Sequence, residues 1–130
     1  MDWSVADRRH DPNTVEGRVF AGFTRLARAR AATPALRGGG TMQPFGTGSD
    51  RVLGIRREHA VHGPVLVLAS FGAESSMIAP VGSPPSGERW FDALTDERIP
   101  GDEPLTLSGY GVRWLTIAPE HNVVPAPGPR

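Results

Sequence analysis

Cysteine is missing from this sequence altogether, so neither a disulfide framework nor a thiolate metal site is open to it. Lysine is missing as well. Every basic residue is arginine, and the 14 arginines balance 14 acids to a formal net charge of zero. Without a net positive field, the counterion release that drives binding to nucleic acid has little to act on, and nucleic acid is excluded as an expected partner. Long apolar runs are missing too, with nothing near the ~20 residues of a membrane span. The opening Met1-Asp2-Trp3-Ser4-Val5-Ala6-Asp7 has no signal-peptide core. A soluble, cytoplasmic protein with no membrane partner is therefore expected.

What the sequence has in quantity is turn-forming residues, 16 Gly and 13 Pro among 130 residues, which points to many short elements rather than a few long ones. The chain is one domain in size. Its exception to shortness lies near the start, where Val15, Val19, Phe20, Phe23, Leu26, Ala27 and Ala31 recur at helical spacing. Asn13 is the expected N-cap, with Glu16 reaching back to it, while Pro12 bars extension upstream and Pro34 downstream. Arg18, Arg25 and Arg28 mark the opposite, solvated face, and Arg30 suits the negative end of the helix dipole.

After Gly38-Gly39-Gly40 the period falls to two. Strands are expected at 41–45, 52–56, 65–71, 75–79, 90–94, 105–107 and 112–117, with 65–71 apolar enough to be covered on both faces and 75–79 its hairpin partner. Residues 95–103 read as a long exposed connection. The fold class expected is all-β with one N-terminal helix, an antiparallel β-sandwich of about seven or eight short strands. Residues 1–37 form the N-terminal segment and helix, 38–118 the sandwich, and 119–130 a Pro-rich disordered tail.

Three motifs punctuate this plan: Asp11-Pro12-Asn13-Thr14 followed by Gly17, the Arg30 to Thr33-Pro34 exit from the helix, and the closing Val112, Trp114-Leu115 and Ile117. They resemble the C-terminal end of the amylosucrases, sucrose-using glucosyltransferases of the α-amylase superfamily, over about residues 1–119. In that family the last helix of a catalytic β/α barrel passes into a small all-β domain. The resemblance implies that Val19, Phe20, Phe23 and Leu26 form a face that packs on a barrel, supplied in cis or in trans. A barrel of that kind takes roughly 250 residues and is not contained in this sequence. The family's catalytic residues lie on barrel strands, and none of their motifs matches a position here. The chain is accordingly expected to be no enzyme by itself, and to lend structural support to a barrel.

Candidate chemistry within the chain is sparse. Retaining glycosyl transfer needs two carboxyl groups ~5 Å apart, one with a raised pKa. Asp2, Asp7 and Asp11, and likewise Asp96, Glu97, Asp102 and Glu103, stand among polar residues that favour their solvated, ionised forms. His59 and His62, with Glu58 nearby, are too few for a metal site, so neither metal nor cofactor is expected. Gly38-Gly39-Gly40 lacks the Lys-Ser/Thr of a phosphate cradle. Among the aromatics, Trp114 reads as sheet packing, and Trp90, beside Pro84-Pro85, is the candidate for an exposed carbohydrate contact. That ring supports an alternative function, a stand-alone carbohydrate-binding module with weak affinity for α-glucan. A further expectation is a homodimer through the apolar face of the helix if the sandwich leaves it uncovered.

Overall fold

The computed structural model describes residues 2–85, 87 and 89–117. Helix α1 (Trp3–Asp7) and a 3₁₀ turn (Arg8–His10) lead into the long helix α2 (Val15–Ala32), which ends in a second 3₁₀ turn (Pro34–Leu36). Eight strands follow: β1 (Thr41–Phe45), β2 (Val52–His59), β3 (Gly63–Ser70), β4 (Ser76–Ile78), β5 (Trp90–Asp92), β6 (Arg98–Ile99), β7 (Leu105–Leu107) and β8 (Val112–Ile117). All pairings are antiparallel, in a six-stranded sheet of order β1-β2-β3-β8-β5-β6 and a two-stranded sheet of β4 and β7. The expected class, an all-β domain led by a helix, is the one observed. The expected tail, 119–130, lies outside the described residues.

The start of α2 explains the first of the sequence motifs. The N-cap is Thr14 and not Asn13: the Thr14 hydroxyl accepts from the Gly17 amide at 3.1 Å and donates back to the carbonyls of Asp11 and Arg8. Asn13 is engaged elsewhere, its amide donating to the Asp11 carboxylate at 2.9 Å, and Glu16 faces Arg8 at 3.8 Å instead of closing a capping box. Gly17 is buried against the Asp11 carbonyl, which a Cβ would strike. Asp11, Thr14 and Gly17 thus form a knot that folds the preceding 3₁₀ turn back along the helix, and their spacing records a packing need. Gly17→Ala is expected to cost about 1–3 kcal/mol through this overlap. Helical far-UV circular dichroism and the thermal midpoint should both fall; a variant as stable as the parent would dissolve the knot as an explanation.

The core lies between the two sheets. Leu66 faces Leu115 across β3 and β8, and with Val52, Leu68, Trp90 and Ile99 these residues pack on Ile78 and Leu107 of the small sheet. Gly54 has no side chain because the Phe45 ring of the neighbouring strand occupies its place, 2.8 Å from where a Cβ would stand. On the other face, the 3₁₀ turn Pro34–Leu36 rests on β2 and β3 and buries Ala35 near fully buried Val65.

Several expectations need correction. Residues 76–78 pair with β7, so β4 leaves the sheet that β3 belongs to and founds the second layer. The connection 95–103 is not wholly exposed: it contains β6, whose Ile99 enters the core opposite Trp90. The closing residues 112–117, whose sequence alternates as one inward and one outward set, do not keep that alternation in β8, since Leu115 and Thr116 are both buried. A central strand has neighbours on both faces, and Thr116 lies opposite Val65 on the side that the 3₁₀ turn covers.

Candidate functional site

The residues singled out by sequence fall in different places. Trp90 is 1% exposed and its indole N–H donates to the Gly82 carbonyl at 2.7 Å. The ring expected to offer a sugar platform is instead the largest side chain of the core, because β5 pairs with β8 on one side and β6 on the other. The loop containing Pro84 closes over it through the Gly82 contact, and Pro84 is itself buried. No polar edge of Trp90 remains for a ligand.

The helix face of Val19, Phe20, Phe23 and Leu26 divides in two. Leu26 is half-buried and lines a groove with Gly22, Leu107 and Val112, so it turns toward the sandwich. Val19, Phe20 and Phe23 remain 50%, 45% and 69% exposed. Gly22 and Ala29 are half-buried on the same side of the helix as Leu26. Phe23 projects away from the sandwich, while Phe20 borders the space between the helix and residues 93–96. Val15 of the same helix is exposed as well, and so are Trp3 and Val5 of α1.

The acids occupy structural posts. Asp2 caps α1, and the Ser4 hydroxyl, then the Ser4 amide, hold its carboxyl below the usual carboxylate range. This is the reverse of the raised pKa that a proton-donating acid needs. Asp92, which carried no signal in the sequence, is fully buried at 0% exposure. Its carboxylate accepts from the amides of Leu94 at 3.0 Å and Trp114 at 3.4 Å and from Arg113 at 3.1 Å. The same guanidinium nitrogen donates to Glu97 at 3.0 Å. Two carboxylates therefore converge on one cation, but Asp92 has no face open to a substrate and cannot act as a nucleophile. The cluster ties the β5–β6 turn to β8.

His59 ends β2, and its Nδ1 accepts from the amides of Val61 and His62 at 3.1 and 3.2 Å while the two imidazoles lie 4.8 Å apart. This closes the β2–β3 turn. Among the described residues no three His, Asp or Glu side chains gather as metal ligands would. No helix there is long and apolar enough to cross a membrane.

One arrangement escaped the sequence reading. A groove of about 610 Å³ runs between α2 and the segment after β5, with Arg9, His10, Arg25 and Arg28 on one wall and Ala93, Leu94 and Asp96 on the other. Arg25 and Arg28 belong by their spacing to the solvated face of the helix, and nothing in that spacing announces that Arg9 joins them. The junction depends on the Thr14 knot, which lays the 3₁₀ turn beside the helix so that His10 meets Phe20 edge-on at 5.8 Å.

No family model matches this chain, and no curated protein matches it. Solved structures do. A mutant of MutB in complex with glucose superimposes with a TM-score of 0.60 and 19% identity, covering 85% of this chain and 19% of that one. A second MutB mutant, from crystals soaked with trehalulose, gives a TM-score of 0.60 at 19% identity over 86% of this chain. A third, trehalulose synthase MutB in complex with Tris, gives the same values. The likeness is one of fold, and the chain spans 19% of the length of the enzyme chains it resembles.

Proposed function

We propose that this chain is the non-catalytic C-terminal β-sandwich domain of an amylosucrase-like protein of the α-amylase superfamily, with α2 as the helix that seats it on a catalytic barrel in cis or in trans. The observation that carries this reading is the divided helix. Leu26 serves the sandwich, whereas Val19, Phe20 and Phe23 keep about half or more of their surface exposed, Phe20 with only the edge of His10 against it. Covering each such side chain is worth about 1 kcal/mol or more, and a stripe of three on one helix is the kind of surface that a second helix or a barrel wall fills. The fold likeness to a small part of a trehalulose synthase supports the same placement. The acids singled out in the sequence stay exposed and the one buried acid, Asp92, is taken up by an ion pair, which supports a structural role, and burial of Trp90 takes away the feature that favoured a stand-alone carbohydrate-binding module.

The test compares the chain with Phe23→Asp. At high concentration the parent chain is expected to self-associate through the stripe, and Phe23→Asp to sediment as a monomer whose stability changes by no more than about 0.5 kcal/mol. Neither is expected to release glucose or fructose from sucrose. Unfolding of Phe23→Asp would make the stripe part of the core, and sucrose turnover lost on replacing a single acid would make the chain an enzyme. Either result would defeat the reading.

A further inference from the structure

We propose that the arginine groove beside α2 binds a phosphoryl group carried on a small organic molecule. Arg25 and Arg28 are three apart and so neighbours on the helix surface, and Arg9 joins them from the 3₁₀ turn across the Thr14 knot. What sets these three apart is that they line one groove together, and none of them is spent on an ion pair. Arg8, Arg51, Arg56 and Arg113 each face a carboxylate, whereas no carboxylate among the described residues lies within ion-pairing distance of Arg9, Arg25 or Arg28. Arg9 spends one donor on the Ala6 carbonyl at 3.0 Å and keeps the others. Like charges so placed repel, and an anion between them removes the repulsion.

The chemistry of the ligand follows from the walls. Guanidinium forks match phosphate oxygens two at a time, which suits a phosphoryl group better than a halide. The zero net charge of the chain gives no long-range field to gather a polyanion, so recognition is local. About 610 Å³ is the size of a site for a single small molecule. Ala21 and Ala29 on the helix side and Leu94 on the other add apolar surface against which the organic part can lie. Asp96, held at φ 61° at the far wall, sets one negative charge opposite the arginines and limits affinity for a dianion. This inference rests on the groove and is independent of the role proposed for the stripe of Phe23.

The test is a calorimetric titration of the full chain with inorganic phosphate, a hexose 1-phosphate, the free hexose, and sodium chloride at matched ionic strength. Saturable binding of both phosphates is expected, tighter for the hexose 1-phosphate, with none for hexose or chloride. Arg25→Gln combined with Arg28→Gln should weaken it at least tenfold, Asp96→Asn should tighten it severalfold, and Arg18→Gln, outside the groove, should leave it unchanged. All four positions are exposed, so the variants are expected to fold. Chloride acting as well as phosphate, or the double variant binding undiminished, would overturn the proposal. Binding to phosphatidylglycerol vesicles in the absence of binding to the soluble phosphates would overturn it in favour of a membrane surface.

Discussion

Trp90→Ala is expected to lower stability by about 3–5 kcal/mol, a large share of the roughly 5–15 kcal/mol that holds an ordinary domain folded. Two losses combine. The indole shares the core between the sheets with Leu66, Ile99, Leu107 and Leu115, and its removal leaves a large cavity there. Its N–H also holds the Gly82 carbonyl, while the Gly82 amide donates to Gly101 at 2.8 Å, so the ring pins the loop that crosses from β4 to β5. Trp90→Phe separates the terms, since it keeps much of the packing and leaves the carbonyl without its donor, at about 1–2 kcal/mol for that part. Denaturant titrations of the two variants read both numbers. An alanine variant within 1 kcal/mol of the parent would place the ring outside the core after all.

Asp92→Ala should be comparably damaging, by about 3–5 kcal/mol, because removal of one partner of a buried ion pair strands the other. Arg113 would keep only Glu97, which is exposed, and the amides of Leu94 and Trp114 would lose their acceptor. Glu97→Ala supplies the contrast: its side chain is solvated, and its loss is expected to cost less than about 1 kcal/mol. Chemical denaturation of the two variants side by side measures the difference. Equal effects would mean that burial does not govern this cluster.

What the sequence made legible was whatever repeats locally. The helical period of Val15 to Ala31, the strand period around Val52 and Val112 and the short apolar run at Val65 are written in neighbouring residues, so element types could be read from them. The Asp11-Thr14-Gly17 spacing was visible as a motif, but its meaning needed the Gly17 amide and the Asp11 carbonyl in one place. Trp90 misled because a Trp beside Pro84-Pro85 in a short strand looks peripheral, and its burial is decided by β6 and β8, which come later in the chain. Asp92 gave no sign for the same reason, as its partner Arg113 is 21 residues away. Leu26 and Phe23 share a period but not a neighbour, and periodicity alone does not say which part of a wide apolar face its own domain will use.

The place of β8 bears on how the chain acquires this fold. It is the last described strand in chain order yet sits inside the sheet, between β3 and β5. β1, β2 and β3 can zip together as successive hairpins, each paying only a short loop closure. β5 and β6 form a second local pair, but nothing joins the two groups until residues 112–117 slide between them. Until residues 112–117 are in place, β3 and β5 each keep an unpaired edge, and this one strand is what joins the two groups into a single sheet.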